Sequence, residues 1–323
     1  MKLLLLINFA EPVRNVYRDE LAAAFPNLTI DLVDQPSKVG PYIAGADVLI
    51  TFGAHLADGV LEKAVNLKWI QALGTGVDGI VDRPGLRDGV LITNLRGLHG
   101  ASVSEAVLAS ILALSRQLPR AVRSQDAGRW DRFPVSLLKG TTIGILGVGV
   151  IAAELAPRCA ALGMRVIGIS SAPRSAAGFD RMVDRRELGA VAGELDHLVL
   201  LTPLTPETRG VVGARILERM KRSAFLINVA RGGVVDEAAL VEAIQTGRIA
   251  GAALDVFAEE PLPAGHPFWS MPNVLITPHM AGFHSGYPAE AIPIVIENIR
   301  RFVAGDVDHM INVVRRHPEG GDG

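Results

Sequence analysis

Residues 141–156 read TTIGILGVGVIAAELA, and this stretch decides how the rest of the chain is read. An apolar run with strand character, Thr142–Leu146, meets Gly147-Val148-Gly149, and a helical pattern follows at once. Strand, glycine turn and helix in that order form the context of a dinucleotide-binding loop. Gly147 permits the tight turn, and Gly149 lets a pyrophosphate approach the backbone. Ala152 stands where a third glycine often packs helix on strand, a place that tolerates a methyl group. The helix start at Val150 and Ile151 offers amide donors and a favourable dipole to phosphate.

The next apolar run, MRVIGIS at 164–170, tests which cofactor fits. A carboxylate at its end would grip the ribose diol of NAD(H). The chain instead carries Ser170, Ser171 and, three residues on, Arg174. Nothing there repels a 2′-phosphate, and these three side chains can bind one, which favours NADP(H) while leaving NAD(H) possible. In the competing reading Arg174 faces solvent and the site is indifferent.

Outward from the loop, short apolar runs alternate with helical patterns in two series. The first has strands at 2–7, 28–33, 47–51, 67–72 and 90–93, with helices at 12–25 and 56–65. The second has strands at 142–146, 164–169, 196–201, 224–229, 250–254 and 273–276, with helices at 150–162, 213–220 and 236–246. Such alternation predicts an α/β fold with parallel sheets and crossover helices. Between the series lies SVSEAVLASILALSRQL, 102–118, apolar on nearly every face, with Ser102 and Glu105 spaced as a capping box. A helix this apolar is expected to be buried between domains or against a second copy of the chain, which predicts a homodimer. A last helix at 289–304 is expected to cross back. This divides the chain into 1–99 plus 285–323 and, inserted between them, 100–284. The tail RRHPEGGDG, 315–323, is expected to fray.

Composition narrows the function classes. The chain has 323 residues, 49% hydrophobic and 20% charged, with a net charge of −2. That balance predicts a substantial core and gives no electrostatic reason to expect nucleic acid. Cys159 is the only cysteine, so no disulfide or cysteine metal site can form within the chain, which fits a reducing, cytoplasmic setting. LLLLI at 3–7 is too short to span a membrane and reads as a buried strand. His284 lies five residues after His279, but no Asp or Cys cluster supports a metal pair, and no metal is expected.

One further stretch raises a question of its own. AFLINVARGGVVDEAAL, 224–240, brings an apolar run to an end on Arg231, followed by Gly232 and Gly233. It is one of a set of ordered blocks. The others are GTGVD at 74–78, SVSEAVLASILALSR at 102–116, GILGVGVIA at 144–152, LTPLTPETRGVV at 201–212, GAALDVFAEEPLP at 251–263 and NVLITPHMAG at 273–282. Together they resemble the D-isomer-specific 2-hydroxyacid dehydrogenase family, which includes glyoxylate/hydroxypyruvate reductases, across almost the whole chain.

The resemblance implies two Rossmann-like domains around a cleft, a flavodoxin-like substrate domain with the NAD(P)-binding domain inserted into it. It implies hydride transfer between NAD(P)H and a small 2-keto acid. It implies a catalytic trio of Arg231, Glu260 (directly before Pro261, rather than Glu259) and His279. The chemistry suits these residue types. A guanidinium forks onto a carboxylate or carbonyl oxygen with fixed donors. A histidine paired with a carboxylate carries the proton the carbonyl oxygen takes up. Arg231 and His279 are thereby substrate-binding as well. By the same resemblance, backbone amides around Gly74, Thr75 and Gly76 receive the substrate carboxylate, and Asp255, Thr202, Pro203 and Ala230 lie at the cofactor, Asp255 on the nicotinamide carboxamide.

The sequence departs from the family pattern in two places. Leu201 stands where a histidine is common, and Ser104 where an alanine is usual. Two other functions compete: an NAD(H)-binding regulatory protein of the same fold, and a formate- or phosphite-type dehydrogenase, against which Glu260 argues because glutamine is expected there. A phosphoglycerate dehydrogenase with an added regulatory domain is disfavoured by the length of the chain. Arg96 and His99 are candidates for the hinge side of the site, with a solvated loop as the alternative. Trp69 and Cys159 read as core.

Overall fold

The computed structural model describes residues 1–314, and the tail 315–323 lies outside them. The chain divides into two units, Met1–Leu98 with the segment from Ser285 onward, and His99–His284.

In the first unit, β1 (Lys2–Leu6), β2 (Thr29–Val33), β3 (Val48–Thr51), β4 (Trp69–Ala72) and β5 (Leu91–Thr93) form one sheet in the order β2-β1-β3-β4-β5. All pairings are parallel, with Leu3 opposite Val48 and Val48 opposite Trp69. Strand β1 from Leu3 onward and strand β3 are buried at every residue, which is why LLLLI and VLIT read as continuous runs.

The helix Tyr287–Ala304 belongs to this unit through a buried polar chain. Asn298 donates to Gln71 Oε1 at 3.0 Å and accepts from the amide of Ile311 at 2.6 Å. Thr93 donates to the same Gln71 oxygen at 2.8 Å and accepts from Trp69 Nε1 at 2.9 Å. The Gln71, Thr93 and Asn298 side chains are thereby partnered to one another and to the main chain, which gives the helix a defined seat on the sheet.

In the second unit, β6 (Thr142–Leu146), β7 (Arg165–Ser170), β8 (Arg181–Asp184), β9 (His197–Leu200), β10 (Phe225–Asn228), β11 (Gly251–Leu254) and β12 (Val274–Ile276) form a parallel sheet in the order β12-β11-β10-β9-β6-β7-β8. Strand order reverses at β6, so the ends of β6 and β9 frame the switch point where ligands bind in open α/β sheets. The helix Gly100–Ser115 packs on the helix Val150–Ala161 and on β10 and β11. Ser104, the unusual residue, is fully buried there, its hydroxyl donating to the Gly100 carbonyl at 2.6 Å.

Three local expectations are corrected. The stretch 56–65 forms only a 3₁₀ turn at Leu61–Lys63, because Gly59 takes a left-handed φ of +75°. The apolar helix starts at Gly100 and stops at Ser115, and left-handed Gln117 (φ +52°) separates it from a second helix, Leu118–Asp126. Its N-cap is His99, so Ser102 and Glu105 make no capping box. The Ser102 hydroxyl donates instead to the carbonyls of His99 and Gly282. Strand β8 has no counterpart among the expected elements, since Arg181-Met-Val-Asp184 is half polar at a sheet edge. Among the described residues no helix is long and apolar enough to cross a membrane.

Candidate active site and cofactor groove

The second unit assembles its chemistry at the carboxyl ends of its strands. At the end of β10, buried Asn228 folds the chain back on itself. Its Oδ1 accepts from the amide of Ala230 at 3.1 Å, and its Nδ2 donates to the carbonyl of Arg231 at 3.0 Å. The turn fixes the main chain that carries Arg231, and the guanidinium donates to the Ala230 carbonyl at 2.6 Å. The asparagine of the N-x-A-R-G block is thus a supporting residue that sequence reading passed over. A polar residue ending an otherwise apolar strand was its signal.

The glycines after Arg231 make room for protein. A Cβ on Gly232 would lie 1.9 Å from the carbonyl carbon of Phe257, and one on Gly233 would lie 3.1 Å from Leu204. Gly232 therefore brings the Arg231 turn into contact with the loop that follows β11. That loop is held from two sides. Glu237 accepts from the amide of Ala258 at 2.6 Å, and Glu260 Oε1 accepts from the amide of Phe257 at 2.9 Å.

Glu260 Oε2 lies 2.6 Å from His279 Nδ1. The hydrogen bond to Glu260 raises the His279 pKa above the usual 6.5, outweighing burial and the repulsion of Arg231. Burial opposes ionisation of Glu260, but the bonds from His279 and the Phe257 amide overcome it and hold the carboxyl below its usual range. With Nδ1 committed, Nε2 is the ring nitrogen left to exchange a proton. The His279 side chain is 47% exposed, so solvent reaches it.

His99, at the head of the helix Gly100–Ser115, is pushed down to about 4, first by burial and then by the charges of His284 and Arg231. It therefore lies in the field of Arg231 rather than on a free loop. Among the described residues no His, Cys, Asp and Glu group could hold a metal ion. Cys159 is buried and pushed up to about 12, an inert core thiol.

A second concavity, of about 240 Å³, runs along the switch point and is lined by Gly147, Val148, Gly149, Ser170, Ser171, Arg185, Leu201, Thr202 and Pro203. Gly147 is left-handed at φ +100°, and a Cβ there would lie 2.6 Å from the Thr202 amide nitrogen, so only glycine fits. A Cβ on Gly149 would meet nothing within 4 Å, which leaves its backbone open to a ligand. The 12-residue helix starting at Val150 and Ile151 has no side-chain cap, so its first-turn amides are donors for phosphate. These residues fit a dinucleotide. Ala230 is buried beside Arg231, and Arg174 is exposed on the turn after Ser171.

The cation lining the groove is Arg185, just past β8, and the unexpected strand explains why it went unnoticed. Asp255 is 3% exposed, with its carboxylate turned to the loop that carries His279. Gly74, Thr75 and Gly76 lie in the first unit after β4, where Gly74 O accepts from Leu95 and Thr75 O from Asn94. A larger depression, about 570 Å³, also lies in the first unit. Its Asp34 already holds Lys38 at 2.7 Å and Arg14 at 3.7 Å, so its charges offset one another.

Residues 108–281 match the model of the D-isomer specific 2-hydroxyacid dehydrogenase NAD-binding domain. A glycerate dehydrogenase of Methylorubrum extorquens is 32% identical over 85% of this chain and 88% of its own. A D-3-phosphoglycerate dehydrogenase of Methanocaldococcus jannaschii is 37% identical over 84% of this chain but 52% of its own, so the chain spans about half the length of that relative. The crystal structure of an NADPH-dependent glyoxylate/hydroxypyruvate reductase from Sinorhizobium meliloti, in complex with NADP and sulfate, superposes with a TM-score of 0.80 at 31% identity, covering 94% of this chain and 95% of that one. With a matching domain model, relatives matched over more than four-fifths of the chain and a shared fold, the chain belongs to the D-isomer-specific 2-hydroxyacid dehydrogenase family.

Proposed function

We propose that the protein is an NADP(H)-preferring reductase of small 2-keto acids, of the glyoxylate/hydroxypyruvate type, giving D-2-hydroxyacids. The observation that carries this reading is the 2.6 Å pairing of His279 with Glu260 in the same unit as Arg231. It joins a proton carrier to a guanidinium able to fix a carboxylate.

The Gly147–Gly149 turn and the amides at Val150 and Ile151 hold the pyrophosphate of the cofactor, and Thr202, Pro203 and Ala230 border it. Ser170, Ser171 and Arg185 receive the 2′-phosphate. The bound reduced nicotinamide supplies the hydride. Arg231 orients the keto acid through its carboxylate or carbonyl oxygen. Protonated His279 gives the Nε2 proton to the oxygen as its negative charge develops, and Glu260 stabilises the imidazolium before transfer. General acid assistance of this kind is worth about 10²–10⁴-fold.

A second substrate is favoured by the 37% identity to D-3-phosphoglycerate dehydrogenase: the keto acid of 3-phosphoglycerate. The protein acts as a homodimer in this proposal. Support comes from Leu118, Val122, Trp130 and Leu137, which are 50%, 54%, 89% and 67% exposed within one stretch of the second unit.

A panel of glyoxylate, hydroxypyruvate, pyruvate and 3-phosphohydroxypyruvate, assayed with NADPH and with NADH, tests the proposal. Turnover of the two-carbon and three-carbon acids with NADPH is expected. Absence of cofactor oxidation with every acid overturns it.

A further inference from the structure

Glu260 sits in a stretch with few anchors of its own. Residues 258–266 run from β11 toward the 3₁₀ turn Pro267–Ser270 without helix or strand, and most of them are exposed. Glu237, the first residue of the helix Glu237–Gln245, meets both ends of that stretch. Its Oε1 accepts from the amide of Ala258 at 2.6 Å, and its Oε2 lies 3.8 Å from His266 Nε2. The Glu237 and His266 side chains are both half-buried.

A glutamate in the first turn of a helix is ordinarily read as a partner of the helix dipole. Here the helix already has its cap, since Asp236 Oδ1 accepts from the Ala239 amide at 3.0 Å, and both Glu237 oxygens turn to the loop. The imidazole of His266 is itself fixed. Its Nδ1 accepts from the Phe268 amide at 3.3 Å, and its ring centre lies 4.6 Å from that of buried Phe268. With Nδ1 an acceptor, the proton of the neutral ring is on Nε2, the nitrogen that faces Glu237, so the contact is attractive whether the ring is neutral or charged. The bond from Ala258 is the stronger of the two, because a charged acceptor roughly doubles a hydrogen bond while an ion pair near the surface adds little. We infer that Glu237 is the positioning residue of Glu260: one carboxylate pins the two ends of segment 258–266 and thereby sets Glu260 against His279. This rests on the reading that His279 carries the proton.

Glu237→Ala removes both contacts, and Glu237→Gln keeps an acceptor for Ala258 without the charge. Each is made in the otherwise unaltered protein and together with Glu260→Gln. Two quantities are measured: kcat at saturating NADPH and keto acid, and the titration of the His279 imidazole by NMR in the cofactor-free protein, assigned with His279→Gln. The charges acting on that ring are Glu260, Arg231 and Asp255. The paired substitutions form a cycle, in which an effect that passes through Glu260 vanishes once residue 260 is neutral.

For Glu237→Ala we expect kcat lower by about tenfold or more, the effect of losing a hydrogen bond to a charged group. The imidazole should titrate at lower pH as its bond to Glu260 loosens. Glu237→Gln should restore part of both. With Glu260→Gln present, neither substitution at position 237 should move the titration. A Glu237→Ala protein that unfolds at lower urea, with kcat and the His279 titration unchanged, overturns the inference and leaves Glu237 a purely structural contact. So does a titration shift of the same size with and without Glu260→Gln, which makes the Glu237 charge act on His279 directly. Should Glu237→Ala not fold, an unshifted titration and unchanged kcat in Glu237→Gln overturn it alone. The NMR titration needs no turnover, so it stands apart from the keto acid panel.

Discussion

Gly232 and Phe257 are in main-chain contact: a Cβ on the glycine would stand 1.9 Å from the phenylalanine carbonyl carbon. The strand that delivers Arg231 and the loop that delivers Glu260 are registered against each other at this point. Gly232→Ala forces them apart. Overpacking of this kind costs about 1–3 kcal/mol, which urea unfolding will show as a lower midpoint with the slope unchanged. Turnover should fall further than stability explains, since the step also displaces Arg231 from Glu260.

The pairing of His279 with Glu260 sets a pH dependence. The His279 pKa is raised, so its stabilising contribution is full below the ordinary 6.5 and is lost as pH rises through the folded value. The Glu260 pKa is lowered, so its contribution is full above the ordinary 4.5 and is lost as pH falls through the folded value. Between those limits the pair is fully formed. In the proposed reduction His279 acts as the protonated acid, so kcat/KM should decline as pH rises through a value above 6.5. Glu260→Gln should move that limb toward lower pH. An identical limb in the variant contradicts the pairing.

Arg231→Ala should lower kcat/KM about 10- to 100-fold, the loss of a hydrogen bond to a charged group. Arg231→Lys keeps the charge but loses the fork and its bond to the Ala230 carbonyl, and should fall between the two. Steady-state kinetics with wild-type values in both would remove Arg231 from substrate binding.

Arg185 lines the groove together with Ser170 and Ser171, and Arg174 is exposed on the segment after Ser171. Arg185→Ala should weaken NADPH binding about tenfold or more and leave NADH unchanged. Arg174→Ala should stay within about twofold for both cofactors. Fluorescence titration decides, and the reverse pattern would return the 2′-phosphate to Arg174.

Trp130 and Leu137 are 89% and 67% exposed. Light scattering at micromolar protein should give a dimer mass. Trp130→Glu with Leu137→Glu should give a monomer, because two charges in an apolar interface cannot be desolvated without partners. A monomer mass for the unaltered protein ends the dimer reading.

The amino-acid sequence by itself determined the two series of buried strands, because a strand covered on both faces has to be apolar at every residue, as Leu3–Leu6 and Ile143–Leu146 are. It also marked the strand–glycine–helix turn at Gly147, which admits no side chain, and singled out Glu260 and His279, which the fold pairs. Edge and turn features escaped it. Strand β8 is half polar, since an edge strand buries less, and with it Arg185 was missed. The helix expected at 56–65 failed at one left-handed glycine that periodicity does not register. Only the tertiary structure decided that Gly232 serves the loop at Phe257, that Asn228 holds the Arg231 turn, and that the Asp255 carboxylate faces residues 277–281. These are contacts between residues up to 26 positions apart. Their partners are chosen by how strands lie side by side, which no local pattern encodes.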